Sequence, residues 1–119
     1  MEFMIQLYVK NATEAIELYS KAFDGTVENI DYAPDKKVLH SEMLAHGQKL
    51  AIADSHESAV TGTVFQIDVR MKTEEAVKKA YELLKGDSIT NSPLGPVFWS
   101  PCMVDFTDRF GVRWCLFAE

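Results

Sequence analysis

The stretch VFQIDVRMKTEEAVKKAYELLKG, residues 64–86, decides the fold, because it restates MIQLYVKNATEAIELYSKAFDG, residues 4–25. Shifted by 60 residues, Gln6 falls on Gln66, Leu7 on Ile67, Val9 on Val69, Lys10 on Arg70, and Thr13-Glu14 on Thr73-Glu74. One inserted residue later the shift is 61, and Ala15 falls on Ala76, Ile16 on Val77 and Gly25 on Gly86. Both stretches begin with the alternation of a half-buried strand and continue with apolar residues at helical spacing. Thr13 and Thr73 are the expected N-caps, each followed by a glutamate where the helix dipole favours negative charge. Gly25 and Gly86 are the expected C-terminal caps.

The correspondence continues downstream. VLHSEMLAHGQKLAIAD, residues 38–54, is two strand-like runs around His46-Gly47, the mark of a two-residue hairpin turn. FWSPCMVDFTDRFGVRWCLFAE, residues 98–119, is a second hairpin turning from Asp108 to Gly111. Here a shift of 64 sets Gly47 on Gly111, Leu50 on Trp114 and Ala51 on Cys115. A short strand stands between helix and hairpin in each half: TVENIDYA (26–33) and DSITNSPL (87–94). The expected fold is therefore α+β, a single domain of tandem βαβββ modules spanning about 1–58 and 62–119. Their strands are expected to form a curved mixed sheet around a cleft, with the helices outside.

Composition bounds the function. The chain has 119 residues, enough for one domain or two small fused modules. At 47% hydrophobic and 25% charged it reads as an ordinary soluble globular protein. A net charge of −6 argues against nucleic acid or an anionic membrane as partner. It mildly favours a cationic ligand, though acidity for solubility is the simpler explanation. Two cysteines make no disulfide framework. The N-terminus lacks the pattern of a signal peptide, and no apolar run approaches the roughly 18 residues of a membrane span. A cytoplasmic location with reduced thiols is the expectation.

Four words of the sequence carry a resemblance: NATEAIELYSKAFDG, LHSEMLAHGQKLAIAD, and FWSP followed by FTDRFGVRW. Together they resemble the vicinal oxygen chelate superfamily of glyoxalase I, bleomycin and fosfomycin resistance proteins and extradiol dioxygenases. Within it they look like the PhnB-like branch, over nearly the whole chain. Branch members often read Asp-Pro-Phe-Gly where this chain has Asp108-Arg109-Phe110-Gly111, a change that only relaxes the turn. The resemblance implies a divalent metal in the cleft, with one ligand from the first strand of each module and one from the last. That metal would act as a Lewis acid on substrates chelated through two neighbouring oxygens. The resemblance also implies a homodimer. Bleomycin-resistance members are a different precedent: they hold a cationic ligand without metal.

The resemblance puts the first-strand ligand positions at Met4 and Val64, and the last-strand positions at Ala51 and Cys115. These side chains suit no hard or borderline cation; only a thiolate would bind zinc, and one ligand is not a site. No cofactor and no metal is the expectation, with a divalent metal on displaced ligands as the alternative. Alternation sends Met4, Gln6 and Tyr8, and likewise Val64, Gln66 and Asp68, toward the cleft. Ile5, Leu7 and Val9, with Phe65, Ile67 and Val69, then meet the helices. The turn at 46–47 pairs Ala45 with Gln48, Glu42 with Ala51 and His40 with Ala53, so His40 and Glu42 face the cleft.

His40 and Glu42 are the candidate catalytic pair. They could bond each other, act as acid and base, or serve as displaced metal ligands. Gln6 and Gln66 offer symmetric amides to a polar ligand. Trp99, beside Phe98 and Pro101, suits a wall for an apolar or aromatic ligand, a dimer contact or core. Trp114 is expected in the core under the second helix. Cys102 and Cys115 lie on neighbouring strands, where a cytoplasmic disulfide is not expected. A reactive thiolate would need a basic neighbour, for which His40 is the obvious candidate. The candidate ligand-binding set is thus Gln6, Tyr8, His40, Glu42, Gln66, Trp99 and Cys115. The function expected is metal-free binding of a small molecule by a homodimer, with neither nucleic acid nor membrane as partner. The alternative is a lyase, isomerase or dioxygenase-type enzyme using His40, Glu42 and Gln6 or Gln66. A third reading is a regulatory subunit with an unused cleft.

Overall fold

The structure, a computed structural model describing residues 1–56 and 64–119, falls into two units, Met1–Ala59 and Val60–Glu119. The first contains β1 (Ile5–Val9), α1 (Ala12–Ala22), β2 (Thr26–Tyr32), β3 (Val38–Ala45) and β4 (Gln48–Asp54). The second contains β5 (Ile67–Met71), α2 (Glu74–Leu84), β6 (Ile89–Val97), β7 (Ser100–Thr107) and β8 (Arg113–Ala118). Each is a βαβββ unit in an α+β fold, as the sequence predicts. The sheet orders are β1-β4-β3-β2 and β5-β8-β7-β6, with the first and last strands of each unit parallel and the other pairs antiparallel.

One face of each sheet is buried by its helix. In the first unit Ala15, Ile16 and Tyr19 of α1 are buried, as are Met43, Leu50 and Ile52, which share a sheet face. In the second, Val77, Ala80 and Leu84 of α2 are buried together with Val104, Phe106, Trp114 and Leu116. Tyr81 meets Phe106 edge-on at 5.0 Å between ring centroids. Trp114 is thus core, as expected. Phe65 is not: it precedes the β5 ladder and is 69% exposed instead of meeting the helix.

Two capping expectations are corrected. The N-cap of α1 is Asn11, not Thr13: its side chain accepts the Glu14 N–H at 3.2 Å. The Ala12 N–H is then taken at 2.9 Å by Asp54 from the end of β4, a contact no local pattern announces. Thr73 caps α2 as predicted, accepting the Ala76 N–H at 3.1 Å. At the helix C-termini, the left-handed residues are Asp24 (φ 51°) and Asp87 (φ 56°) rather than Gly25 and Gly86. Aspartate tolerates that region better than most side chains. Gly25 packs closely on β3: a Cβ there would stand 2.7 Å from the Met43 sulfur, so that side chain would have to shift.

The pairing also corrects the register of the repeat. Gln6 pairs with Ala51 and Asp68 with Cys115, so the structural counterpart of Gln6 is Asp68, a shift of 62. The caps Asn11 and Thr73 are also 62 apart. Glu42 and Asp105, which face Ala51 and Cys115, are 63 apart, and Ala51 and Cys115 are 64 apart as read from the sequence. A slip of two residues keeps every side chain on its face, so the apparent match of Gln6 with Gln66 preserved the alternation while misplacing the partner.

Two carboxylates fix the ends of these ladders. Asp54 joins α1 to β3, since it also accepts the Val38 N–H at 2.7 Å. Asp108 holds the β7–β8 turn, accepting the Phe110 and Val112 N–H groups at 2.9 and 3.0 Å and the Trp114 indole N–H at 2.8 Å. The β3–β4 turn is the two-residue form, with His46 and Gly47 both at positive φ (52° and 78°). Among the described residues no helix is long and apolar enough to cross a membrane.

Candidate functional site

The sheet face opposite each helix carries the candidate polar residues, in matching rows. In the first unit one row runs Gln6, Ala51, Glu42, Asn29 across β1, β4, β3 and β2. In the second the same row runs Asp68, Cys115, Asp105, Ser92 across β5, β8, β7 and β6. The hairpin pairs Ala45 with Gln48 and Glu42 with Ala51, as predicted, and His40 lies two residues further along β3, opposite Asp31.

His40 and Glu42 bond each other, Nε2 to Oε2 at 3.0 Å. Lys49 donates to the other Glu42 oxygen at 3.2 Å and lies 3.8 Å from Glu28. The His40 bond, then Lys49, holds the Glu42 carboxyl below its ordinary pKa. Gln6 is half-buried and spends its amide N–H on the neighbouring Leu7 carbonyl at 3.2 Å. Tyr8 is 67% exposed. Met4 and Val64 both precede the strand ladders and are exposed.

Sequence reasoning did not find the matching ion pair in the second unit. Asp105 stands where Glu42 stands, and Arg113 where Lys49 stands. Arg113 grips Asp105 through Nε and a terminal nitrogen at 3.1 and 2.9 Å, and Asn91 donates to it at 3.2 Å. Arg113 first, against the opposing effect of burial, lowers the Asp105 pKa, with Asn91 and Gln66 assisting. Gln66 reaches Asp105 loosely, because its Nε2 is buried without an acceptor at full hydrogen-bond geometry. The signal was present in the sequence as Asp105 and Arg113, but reading it required the register across a turn one residue longer than its counterpart.

Acid should therefore weaken the fold through these two carboxylates. A lowered folded pKa means the unfolded chain takes up protons first, so stability present above about pH 4 is lost as pH falls through the folded values. Urea midpoints should drop between pH 7 and pH 3, and Asp105→Asn should flatten that drop. An unchanged pH dependence in the variant counts against the Arg113–Asp105 pair as its source.

Cys115 is buried on this face, 7% exposed, with Asp68 and Asp105 on either side. Burial first, then those two carboxylates, pushes its thiol up to about 11, outweighing the opposite pull of Arg113. Arg113, two residues earlier on β8, is the basic group within the same unit whose charge reaches this thiol. Cys102 sits on the helix face, with Val104 and Phe106, so the two cysteines point to opposite sides of their sheet and form no disulfide within it. Iodoacetamide should accordingly label Cys115 slowly at pH 7.5. Its rate should climb about tenfold per pH unit and level off only near 11. Labelling at neutral pH as fast as free cysteine would show that the thiol is not held protonated. Among the described residues no three His, Cys, Asp or Glu side chains form a group that could hold a metal.

Trp99 lies in the turn between β6 and β7 beside the fully exposed Phe98. Its ring is 48% exposed and meets Phe117 edge-on at 5.0 Å. Phe117 shares its face with Cys115, so the aromatic pair borders the polar row. The structure thus gathers His40 with Glu42 in one unit, and Gln66 and Cys115, bordered by Trp99, on the sheet face opposite α2 in the other.

The Glyoxalase/Bleomycin resistance protein/Dioxygenase superfamily profile matches residues 3–116. Among solved structures, protein PA1353 from Pseudomonas aeruginosa is similar at 25% identity and a TM-score of 0.87, covering 100% of this chain and 98% of its own. A putative 3-demethylubiquinone-9 3-methyltransferase, PhnB protein, from Bacillus cereus is similar at 23% identity and 0.85, with 100% and 98% covered. A mutant fosfomycin resistance protein, FosX, from Listeria monocytogenes, complexed with Mn(II) and 1S,2S-dihydroxypropylphosphonic acid, is similar at 17% and 0.76, with 100% and 92% covered. No curated protein matches the chain.

Proposed function

The chain belongs to the Glyoxalase/Bleomycin resistance protein/Dioxygenase superfamily, and from that premise we propose that it binds a small molecule on the sheet face opposite a helix without a resident metal. One observation carries the reading: the chemistry of the last-strand positions. Ala51 has no donor atom, and at the matching position of the second unit Cys115 supplies one sulfur, a single ligand where a metal site needs several. Gln6 leaves one amide oxygen, Glu42 is held by His40 and Lys49, and among the described residues no three His, Cys, Asp or Glu side chains form a group that could hold a metal. This donor set does not fit a divalent cation, which needs several unengaged nitrogen, oxygen or thiolate ligands. The FosX complex supports the small-molecule half of the reading alone, since that protein of the same fold holds its phosphonic acid together with Mn(II).

The test is metal analysis of protein purified without chelator, followed by thermal-shift screening with hydroxy acids, diketo acids, phosphonates and cationic drugs. The expected result is far less than one metal per chain, and a stabilising ligand whose effect survives EDTA. Stoichiometric Zn, Ni, Mn or Fe that is lost in His40→Ala or Glu42→Ala overturns it. A homodimer is the expected assembly, read by sedimentation.

The hydrogen bond between His40 and Glu42 favours a second reading, in which the pair acts as acid and base in a lyase, isomerase or dioxygenase-type reaction. Turnover of a screened ligand that is abolished in His40→Gln, with binding retained, selects this reading over simple binding.

A further inference from the structure

We infer that the sheet face opposite α2 carries, at its Arg70–Phe117 edge, a subsite for an aromatic monocarboxylate, with the carboxylate on Arg70 and the ring against Phe117 and Trp99. The inference rests on the proposed small-molecule binding and names its ligand class. It starts from the row next to the one holding Cys115. Across β5, β8, β7 and β6 that row runs Arg70, Phe117, Met103, Gly95. Trp99, from the β6–β7 turn, stands edge-on to Phe117. A cation and an aromatic pair therefore adjoin on one sheet face.

Arg70 is set apart from the other arginines. Arg113 is committed to Asp105, and Arg109 lies over the Phe110 ring at 5.2 Å. Arg70 is exposed and has no partner among the described residues. A guanidinium presents a planar fork of donors that matches a carboxylate with two parallel hydrogen bonds. Trp99, half-exposed and braced by Phe117, offers a ring surface already oriented for an aromatic partner. Neighbouring strands lie about 4.8 Å apart, so a ligand of one ring and one carboxylate bridges from Arg70 across Phe117.

The comparison between units supports a ligand rather than a scaffold role. The positions matching Arg70 and Phe117 are Tyr8 and Ala53 in the first unit, which pair with each other as Arg70 and Phe117 do. The fold therefore does not require an arginine beside a phenylalanine at these paired positions. Asp68 lies two residues before Arg70 on the same face and disfavours a second negative charge on the ligand. The overall charge of −6 repels anions too, but solvent screens it beyond roughly 8 Å, whereas the Arg70 contact is direct.

The experiment is calorimetric titration of the full chain with benzoate and phenylacetate, with acetate, benzylamine and phthalate as comparisons. Quenching of Trp99 emission is a second readout, since Trp114 is buried. The aromatic monocarboxylates should bind best. Arg70→Gln should weaken them by at least about tenfold, Arg70→Lys by less, and Trp99→Ala by several-fold. Arg70 makes no contact the fold uses, so circular dichroism of Arg70→Gln should match the parent. Equal affinity in Arg70→Gln, or benzylamine binding as tightly as benzoate, overturns the inference. If the wider thermal-shift screen finds ligands while benzoate and phenylacetate do not bind, this inference fails and the proposed function stands. If no compound of any class binds, both fail.

Discussion

Asp108→Ala should lose about 4 kcal/mol of stability, measured by urea unfolding followed by circular dichroism. The carboxylate is 4% exposed and accepts two turn N–H groups and the Trp114 indole N–H. Alanine leaves all three donors without it, two of them on buried residues, and each unmet donor costs about 1–3 kcal/mol. Asp108→Asn should cost less, because one amide oxygen still accepts from the turn. Trp114→Phe gives the internal control: in that background Asp108→Ala should cost less, since the indole donor is already gone. A loss below about 1 kcal/mol for Asp108→Ala would mean that the turn does not depend on this carboxylate.

The second large effect is expected at Asp54. Asp54→Ala should cost about 3 kcal/mol, because it releases two N–H groups that lie far apart in sequence. Its two oxygens accept from Ala12 at the start of α1 and Val38 at the start of β3. The negative charge also lies at a helix N-terminus, where the dipole favours it. Hydrogen exchange gives the specific readout: the Ala12 and Val38 amides should lose protection before the middle of β4. Uniform loss across the unit would point to general destabilisation instead of this two-point tie.

These two carboxylates also show what a sequence discloses. The β3–β4 hairpin was legible to its boundaries, because His46-Gly47 is a strong turn signal and the flanking runs alternate. Asp54, at the end of that hairpin, was legible only as a strand residue. Its role depends on α1 and β3 returning to it, and the same contact accompanies a helix start two residues earlier than Thr13 suggests. The first-strand register failed for a different reason. A two-residue slip leaves the faces unchanged, so Gln66 looked as good a counterpart for Gln6 as Asp68 does in the pairing. That error hid Asp68 from the neighbourhood of Cys115. The His40–Glu42 bond was legible because the two residues are local, whereas Arg113–Asp105 needed a ladder across a longer turn.

The changing offset between the units has a historical meaning. It is 62 through the first strand and the helix cap, 63 from Thr26 and Ile89 onward, and 64 after the hairpin turn. Two copies descended from one ancestral half would acquire this series through two single-residue insertions. One falls where the helix hands over to the next strand, the other at the hairpin turn between β7 and β8. Both lie outside the ladders, where added chain breaks no pairing.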